Sequence, residues 1–289
     1  MRPFRYERPT RLADAFRLLG DPAASALPLA GGTDLLIRLR DGTVTPSVVV
    51  DVKALPELSD GIAERDGRLV IGGRVVMTDI AADRRIRRDF TALAEAAAVV
   101  GSAQIRNRAT LAGNICNASP AADTAPALLV YGAEVVASGP AGTRRLPLDD
   151  FFRGPGRTAL TPGELVTALE LPLPDRRRGG VHLRRTRRRG HDLASVTLAC
   201  AVDDEGRLRL AYGSVGPRPL LVTDDTGVLA DPAASAEARG LVLDRLLAAA
   251  SPSPRSMRAS PAYRLAMLRV LAVRAADLAT GRVLGGATA

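Results

Sequence analysis

The sequence predicts an α+β protein built from more than one unit. A continuous β-branched run, SVVVDV at 47–52, follows an amphipathic helix pattern, as in a small β-α-β unit whose last strand is buried on both faces. Farther on, apolar runs come in pairs around tight turns, the mark of antiparallel hairpins. Beyond a charged break flanked by prolines and glycines, LPLPDRRRGG at 171–180, another hairpin is followed by two amphipathic helices.

The opening residues read as a short strand. RLADAFRLLGD then sets Leu12, Ala15, Phe16 and Leu19 on one helix face, with Gly20 as its stop. A strand at 26–30, a Gly-Gly turn and the apolar DLLIRLRDG precede the buried run. From Gly61 the pattern changes to strands broken by turns, with GRLVIGG at 67–73 as one strand and Thr78 and Asp79 suited to a helix start. FTALAEAAAVVGSAQIRN, 90–107, reads as a helix with a buried Ala and Leu face, ended by Gly101. PALLVYG is a short helical segment, followed by a hairpin about Gly139-Pro140-Ala141-Gly142 and a closing strand in ELVTALELPLP.

Past the break, 193–216 forms a hairpin about Asp203-Asp204-Glu205-Gly206. One helix follows in EARGLVLDRLLAAA, and a second has Ser260 as N-cap, Pro261 at its first position and Gly281 at its end. A third strand before these helices completes an expected three-stranded antiparallel sheet backed by helices.

Composition narrows the function classes. With 289 residues the chain buries a substantial core without staples. Cys116 and Cys200 lie in no CxxC and near no histidine pair, so the sequence supports two reduced thiols rather than a metal site or disulfide. No apolar run has the length of a signal peptide or membrane span, and the expected location is cytoplasmic. The formal charge is +9, and Lys53 is the only lysine. Arginines concentrate between Asp175 and His191, but with no Trp, five Phe and four Tyr the chain lacks stacking platforms. A solvated loop, or a docking surface for an acidic partner or cofactor, fits that segment better than nucleic acid does.

Two stretches carry possible chemistry. In PLAGGTDLLI, glycines beside a strand end let backbone amides approach an anion, while a strand-to-helix turn with Asp34 as N-cap explains the same residues equally well. In NRATLAGNICNASPAADTAP, Thr110, Ala112, Gly113 and Asn114 read as a turn of small side chains that leaves amides reachable. Asn117, Ser119 and Asp123 offer polar groups just beyond, and this density of donors and acceptors suits a dinucleotide. Neither stretch is a GxGxxG fingerprint or a P-loop. His182 and His191, the only histidines, fall in the arginine-rich segment, where the default reading is a solvated loop. With no nucleophile elbow or zinc helix, the chain is equipped to bind a cofactor that itself does the chemistry.

On LAGGTDLLIRLRDG, GSAQIRNRATLAGNICNASPAADTAPALLVYGAEV, GPGRTALTPGELV and RASPAYRLAMLRVLAVRA, the chain resembles the FAD-binding, medium subunits of the molybdenum hydroxylases, the family of xanthine dehydrogenase and aerobic carbon monoxide dehydrogenase. The resemblance implies a vanillyl-alcohol-oxidase-type (PCMH-type) fold: FAD-binding subdomains at 1–56 and 57–173, then a C-terminal domain at 179–286. It implies that two glycine-containing loops wrap the FAD diphosphate, Leu29, Ala30, Gly31, Gly32, Thr33, Asp34, Leu35 and Leu36 in one and Thr110, Leu111, Ala112, Gly113 and Asn114 in the other. Asp123, with Asn117 and Ser119 beside it, falls where the family's aspartate meets the adenosine or ribose side. Arg184 falls on a basic position before the second domain's first strand, and Val100 and Val166 on positions flanking the flavin ring. Where the family has Thr-Ile-Gly-Gly-Asn, this chain has Ala112 in place of a glycine, a methyl group set to crowd the diphosphate or resist a positive φ; as the smallest substitution, in a loop that keeps Thr110, Gly113 and Asn114, it is expected to leave FAD binding intact.

The same resemblance implies partners: a large subunit holding the molybdenum cofactor and a small subunit holding two 2Fe-2S clusters, in a dimer of heterotrimers. Electrons would reach FAD here and leave to NAD, a quinone or oxygen. With two isolated cysteines the chain is not expected to carry the extra cluster of one family branch. Two other readings stand beside this one: a flavoprotein acting alone on a small molecule, and a non-catalytic basic interaction or nucleic-acid-binding protein.

Overall fold

The computed structural model describes residues 1–188, 190 and 192–285. It begins with β1 (Arg5–Glu7), α1 (Leu12–Gly20), β2 (Ala26–Leu29), α2 (Leu35–Asp41) and β3 (Val48–Asp51). These strands form a parallel sheet in the order β1-β3-β2. Every residue of the central β3 is buried, as its β-branched run requires. Ala15 of α1 closes a small core with Val48, Val50, Val52, Leu55 and Leu58.

The next region is larger. Strands β4 (Ile62–Arg65) and β5 (Arg68–Gly72) lead into six helices, α3 (Met77–Ala82), α4 (Arg84–Asp89), α5 (Thr91–Ala98), α6 (Ala103–Arg106), α7 (Leu111–Cys116) and α8 (Thr124–Val130). The chain continues through β6 (Glu134–Gly139), β7 (Gly142–Pro147), α9 (Leu148–Phe151), β8 (Phe152–Gly154), β9 (Arg157–Thr158) and β10 (Leu165–Pro172). The five-stranded sheet has the order β4-β5-β10-β6-β7. Gly139 pairs with Gly142, so the expected hairpin turns on Pro140 and Ala141. The predicted helix over 90–107 is instead two: α5 ends at Ala98, ahead of the expected stop at Gly101, which sits at φ 55° in the link, and Ser102 caps α6 by accepting from the Ile105 amide.

The last sheet corrects the sequence expectation. It has four strands, in the order β11 (Arg178–Arg185), β12 (Val196–Asp203), β13 (Leu208–Gly213) and β14 (Leu220–Asp224), followed by α10 (Ala236–Leu247) and α11 (Pro261–Leu284). The additional strand is the arginine-rich segment itself, much of which is therefore not a solvated loop. Period-two alternation explains it: Val181 and Leu183 pack toward α11, while Gly180, His182 and Arg184 point to the opposite face. Gly179 and Gly180 let the strand pass between two walls, because a Cβ on the first would meet the Ala279 carbonyl and on the second the Tyr131 hydroxyl. Helix α11 begins as expected at Ser260, which accepts from the Tyr263 amide, but it runs past Gly281 to Leu284.

In β12 the two faces differ in size. Leu198, Cys200 and Val202 enter the core under α11, whereas Ala199 and Ala201 join the core built on α5 and α8. Small residues on that face let helices lie close to the sheet, and this contact sets the site against the C-terminal strands. Among the described residues no helix is long and apolar enough to cross a membrane.

Candidate functional site

The first glycine loop leaves the C-terminal end of β2, the edge of a parallel sheet where ligands commonly bind. A Cβ on Gly31 would overlap the Arg108 carbonyl and stand 3.0 Å from the Ala109 Cα, so glycine is what lets this loop touch the second one. Gly32 has φ 77° and its carbonyl accepts from the Leu36 amide at 3.0 Å. Asp34 precedes α2 but makes no side-chain cap, so the sequence's structural explanation for this aspartate is not realised. Although the residue is exposed, partial burial of its carboxyl raises its pKa, against the pull of Arg38.

The second loop is a helix start, not a free turn. Thr110 caps α7, its Oγ1 accepting from the Gly113 amide at 3.1 Å, and its carbonyl accepts from the Asn114 amide at 3.0 Å. The Leu111 amide donates to the Val75 carbonyl, and the Met77 amide to the Ala109 carbonyl, which bolts the loop to the start of α3. Three of the amides expected to meet a diphosphate are thus engaged by the protein itself. Ala112 sits inside the helix, 5% exposed, and is not a positive-φ residue. The conformational objection to its methyl therefore falls. Asn114 Oδ1 accepts from Thr124 Oγ1 at 2.6 Å and so ties α7 to α8.

Where the loops meet there is a cleft of about 80 Å³, lined by Ala30, Gly31, Lys53, Arg74, Val76, Asn107, Arg108 and Thr110. Small-molecule pockets run to roughly 300–1,000 Å³, so this cleft takes a fragment of a large ligand, of the order of its phosphates. Four of its polar lining residues, Lys53, Arg74, Asn107 and Arg108, were not singled out as ligands from sequence. The one available signal was Lys53, a lone lysine just after a buried strand.

Helix α7 is six residues long, about 9 Å at 1.5 Å per residue, and leads from this cleft to a second cluster. Asn117 caps its C-terminal end, Ala118 has φ 44°, and the Ser119 hydroxyl accepts from the Ala121 amide at 3.3 Å. Asp123 follows, 8% exposed. Its Oδ2 lies 3.0 Å from Arg184 Nη1, and its Oδ1 lies 3.3 Å from His182 Nε2. The His182 ring is aimed elsewhere, at Thr197 Oγ1 2.8 Å away, and Asp123 Oδ1 is buried without a hydrogen bond.

The structure thus joins Asp123 to Arg184, which lie far apart in sequence, and adds His182 and Thr197. His182 is buried, contrary to the solvated reading; His191 lies outside the described residues. Arg184 also donates to the carbonyls of Val99, at 3.0 Å, and Asp192. Val100, next to that contact, is half-buried, while Val166 is a buried core residue at the irregular point of β10 opposite Ala137. The C-terminal sheet holds the Asp123 segment from below: Ser214, at φ 62°, donates its amide to the Pro120 carbonyl at 2.6 Å. Its own carbonyl accepts from buried Arg264 at 2.8 Å.

These parts fit an extended dinucleotide. One end offers close backbone approach and cations, and the other offers a buried carboxylate oxygen that lacks a donor, as a sugar hydroxyl would supply. The thiols are poor candidates for chemistry, since burial pushes Cys116 up to about 12 and Cys200 higher still.

Comparison with known proteins agrees. The FAD binding domain in molybdopterin dehydrogenase matches residues 2–174, and the CO dehydrogenase flavoprotein C-terminal domain matches residues 182–279. A putative xanthine dehydrogenase FAD-binding subunit of Escherichia coli is 36% identical over 220 residues, covering 74% of this chain and 75% of its own. The carbon monoxide dehydrogenase medium chain of Hydrogenophaga pseudoflava is 29% identical over 283 residues, 96% of this chain and 98% of its own. In a crystal structure of the Cu,Mo-CO dehydrogenase, one chain superimposes with a TM-score of 0.87 at 28% identity, covering 98% of this chain and 100% of that one. Two glycine loops joined at a parallel sheet edge, a buried aspartate with an unmet acceptor, and agreement along nearly the whole chain lead to one conclusion: this chain belongs to the family of FAD-binding subunits of the molybdenum hydroxylases.

Proposed function

We propose that the chain is the FAD-carrying electron-transfer subunit of a molybdenum hydroxylase, receiving electrons from 2Fe-2S clusters on a small subunit and passing them to NAD, a quinone or oxygen. The molybdenum cofactor belongs to a large subunit, and the assembly is a dimer of heterotrimers in the cytoplasm. When bound, FAD supplies one- and two-electron chemistry. The protein's part is to hold it. Residues 29–36 and 110–114 lie along the diphosphate, Asn117, Ser119 and Asp123 along the sugar side with Arg184 paired to Asp123, and Val100 and Val166 beside the ring. Residues 1–56 and 57–173 form the two FAD-binding subdomains and 179–286 the C-terminal domain.

The observation that carries this reading is the contact of Gly31 with the Arg108 carbonyl, which brings two glycine loops to one sheet edge. The nucleic-acid alternative loses its footing because the arginine segment is largely paired within the protein: Arg176 with Glu205, Arg178 with Asp175, Arg184 with Asp123 and Arg187 with Asp192. Purification of the chain from its native host tests the proposal. A flavin absorption spectrum with one FAD per chain, and co-purification with a molybdenum subunit and a 2Fe-2S subunit, are expected. A colourless protein that stays colourless after incubation with FAD would refute it.

A further inference from the structure

The second loop has too few free amides to neutralise a diphosphate, since those of Leu111, Gly113 and Asn114 are engaged by the protein. The first loop also contributes a carboxylate, Asp34. Side-chain cations are therefore placed to share the charge with the amides of the first loop, and the cleft has three. Arg74 is not available: its Nε donates to the Leu58 carbonyl, its Nη1 to the Lys53 carbonyl at 2.6 Å, and its Nη2 to Asp60 at 3.2 Å. Its role is to fix the chain at Lys53.

Lys53 and Arg108 remain. Lys53 Nζ lies 2.7 Å from Asp51 Oδ1, with the side chain 35% exposed. An ammonium has three donors, so one contact to Asp51 leaves two for an anion. Asp51 is built as an anchor: it is 3% exposed, and its carboxylate also accepts from the Lys53 amide at 2.9 Å and from the Tyr6 hydroxyl. Burial works against this carboxylate's charge, but the hydrogen bonds from Lys53 and Tyr6 outweigh it and keep the pKa below its usual value. Arg108 is exposed and lines the same cleft, and its own carbonyl meets Gly31. One cation therefore follows β3 and the other precedes the second loop, and both line the cleft where the loops touch.

We propose that Lys53, held by Asp51, and Arg108 are the counter-cations of the cofactor diphosphate, so that this flavoprotein binds its dinucleotide through two side chains as well as through loop backbone. This rests on the FAD reading above. The test is titration of the flavin-free full chain with FAD, and separately with ADP and adenosine, at low and at high salt. Lys53→Met and Arg108→Met are each expected to weaken FAD and ADP about tenfold to a hundredfold, the loss of a hydrogen bond to a charged group. Adenosine binding should not change, and the salt dependence of FAD binding should become shallower. Lys53→Arg, which keeps the charge, should recover most of the affinity. Arg108→Met does not touch Asp51, so it remains informative if Lys53→Met folds poorly.

FAD and ADP affinities that match wild type, with unaltered salt dependence, would overturn the proposal. Equal loss of adenosine would do so too, since it would mean a changed cleft shape. If the wild-type chain binds no FAD at all, the underlying reading fails instead, and ADP binding still decides whether the two cations hold a diphosphate.

Discussion

The two ends of the proposed FAD site are made differently. At the loop cleft the protein offers backbone brought into contact by a glycine, with cations partly open to solvent. At the Asp123 cluster it offers side chains: a carboxylate, a guanidinium and an imidazole with side-chain exposures of 9%, 16% and 2%. Charges in water are cheap to move and weak in effect, whereas buried ones are costly to leave unpaired. The open cation of the cleft, Arg108, should therefore govern affinity while hardly touching stability, and the cluster should govern both.

Asp123→Ala puts the sharpest strain on that contrast. It leaves Arg184 and His182 facing each other without the carboxylate, and breaking a buried pair costs about 3 kcal/mol or more. A large drop in the urea midpoint together with loss of bound flavin is expected. A variant as stable as wild type would show that water reaches the cluster and that the two ends are alike. Gly31→Ala comes next. Its methyl must displace backbone at Arg108 and Ala109, an overpacking cost of about 1–3 kcal/mol. The loops would be pushed apart, and FAD should be lost on gel filtration while the rest of the chain stays folded.

The same division explains what was legible in the sequence. Glycine beside a strand end is a local signature, because a close backbone approach admits no other residue, and Gly31 declared the first loop. In the second, Gly113 has a different cause: it sits against its own cap, where a Cβ would stand 2.8 Å from Thr110 Oγ1. A helix start was therefore read as an open turn. The cluster was half legible. Asp123 and Arg184 were placed at the site by resemblance, but their pairing depends on β11, whose alternation of Val181 and Leu183 with His182 and Arg184 was masked by the surrounding arginines. Lys53 was visible as a lone lysine, yet its meaning depends on Asp51 and Arg74, which only the fold brings beside it.

A third ion pair lies outside both ends and serves as a control. Glu164 meets Arg144 through two hydrogen bonds, at 2.7 and 2.8 Å, which lower its pKa to about 2 despite the opposing effect of burial. A depressed carboxylate contributes stability that is fully present above its unfolded pKa and is lost as pH falls through the folded value. Thermal stability should thus decline between about pH 4.5 and pH 2, and Glu164→Gln should flatten that slope. At neutral pH the variant should still retain FAD, since neither end of the site is touched.

Ala112→Gly tests the position where this chain lacks a glycine of the family's second loop. If that loop acted as an open turn, the methyl would obstruct the cofactor, and glycine would raise FAD affinity. The structure gives α7 a helical start in which Ala112 is buried, with Thr110 Oγ1 satisfying the Gly113 amide. In a helix, alanine is favoured over glycine by about 0.5–1 kcal/mol. The substitution should accordingly lower the melting temperature by about 1–4 °C and leave FAD affinity within about twofold. A tenfold gain in affinity would mean that the methyl points at the diphosphate, and the second loop would then belong, like the first, to the part of the site that binds through bare backbone.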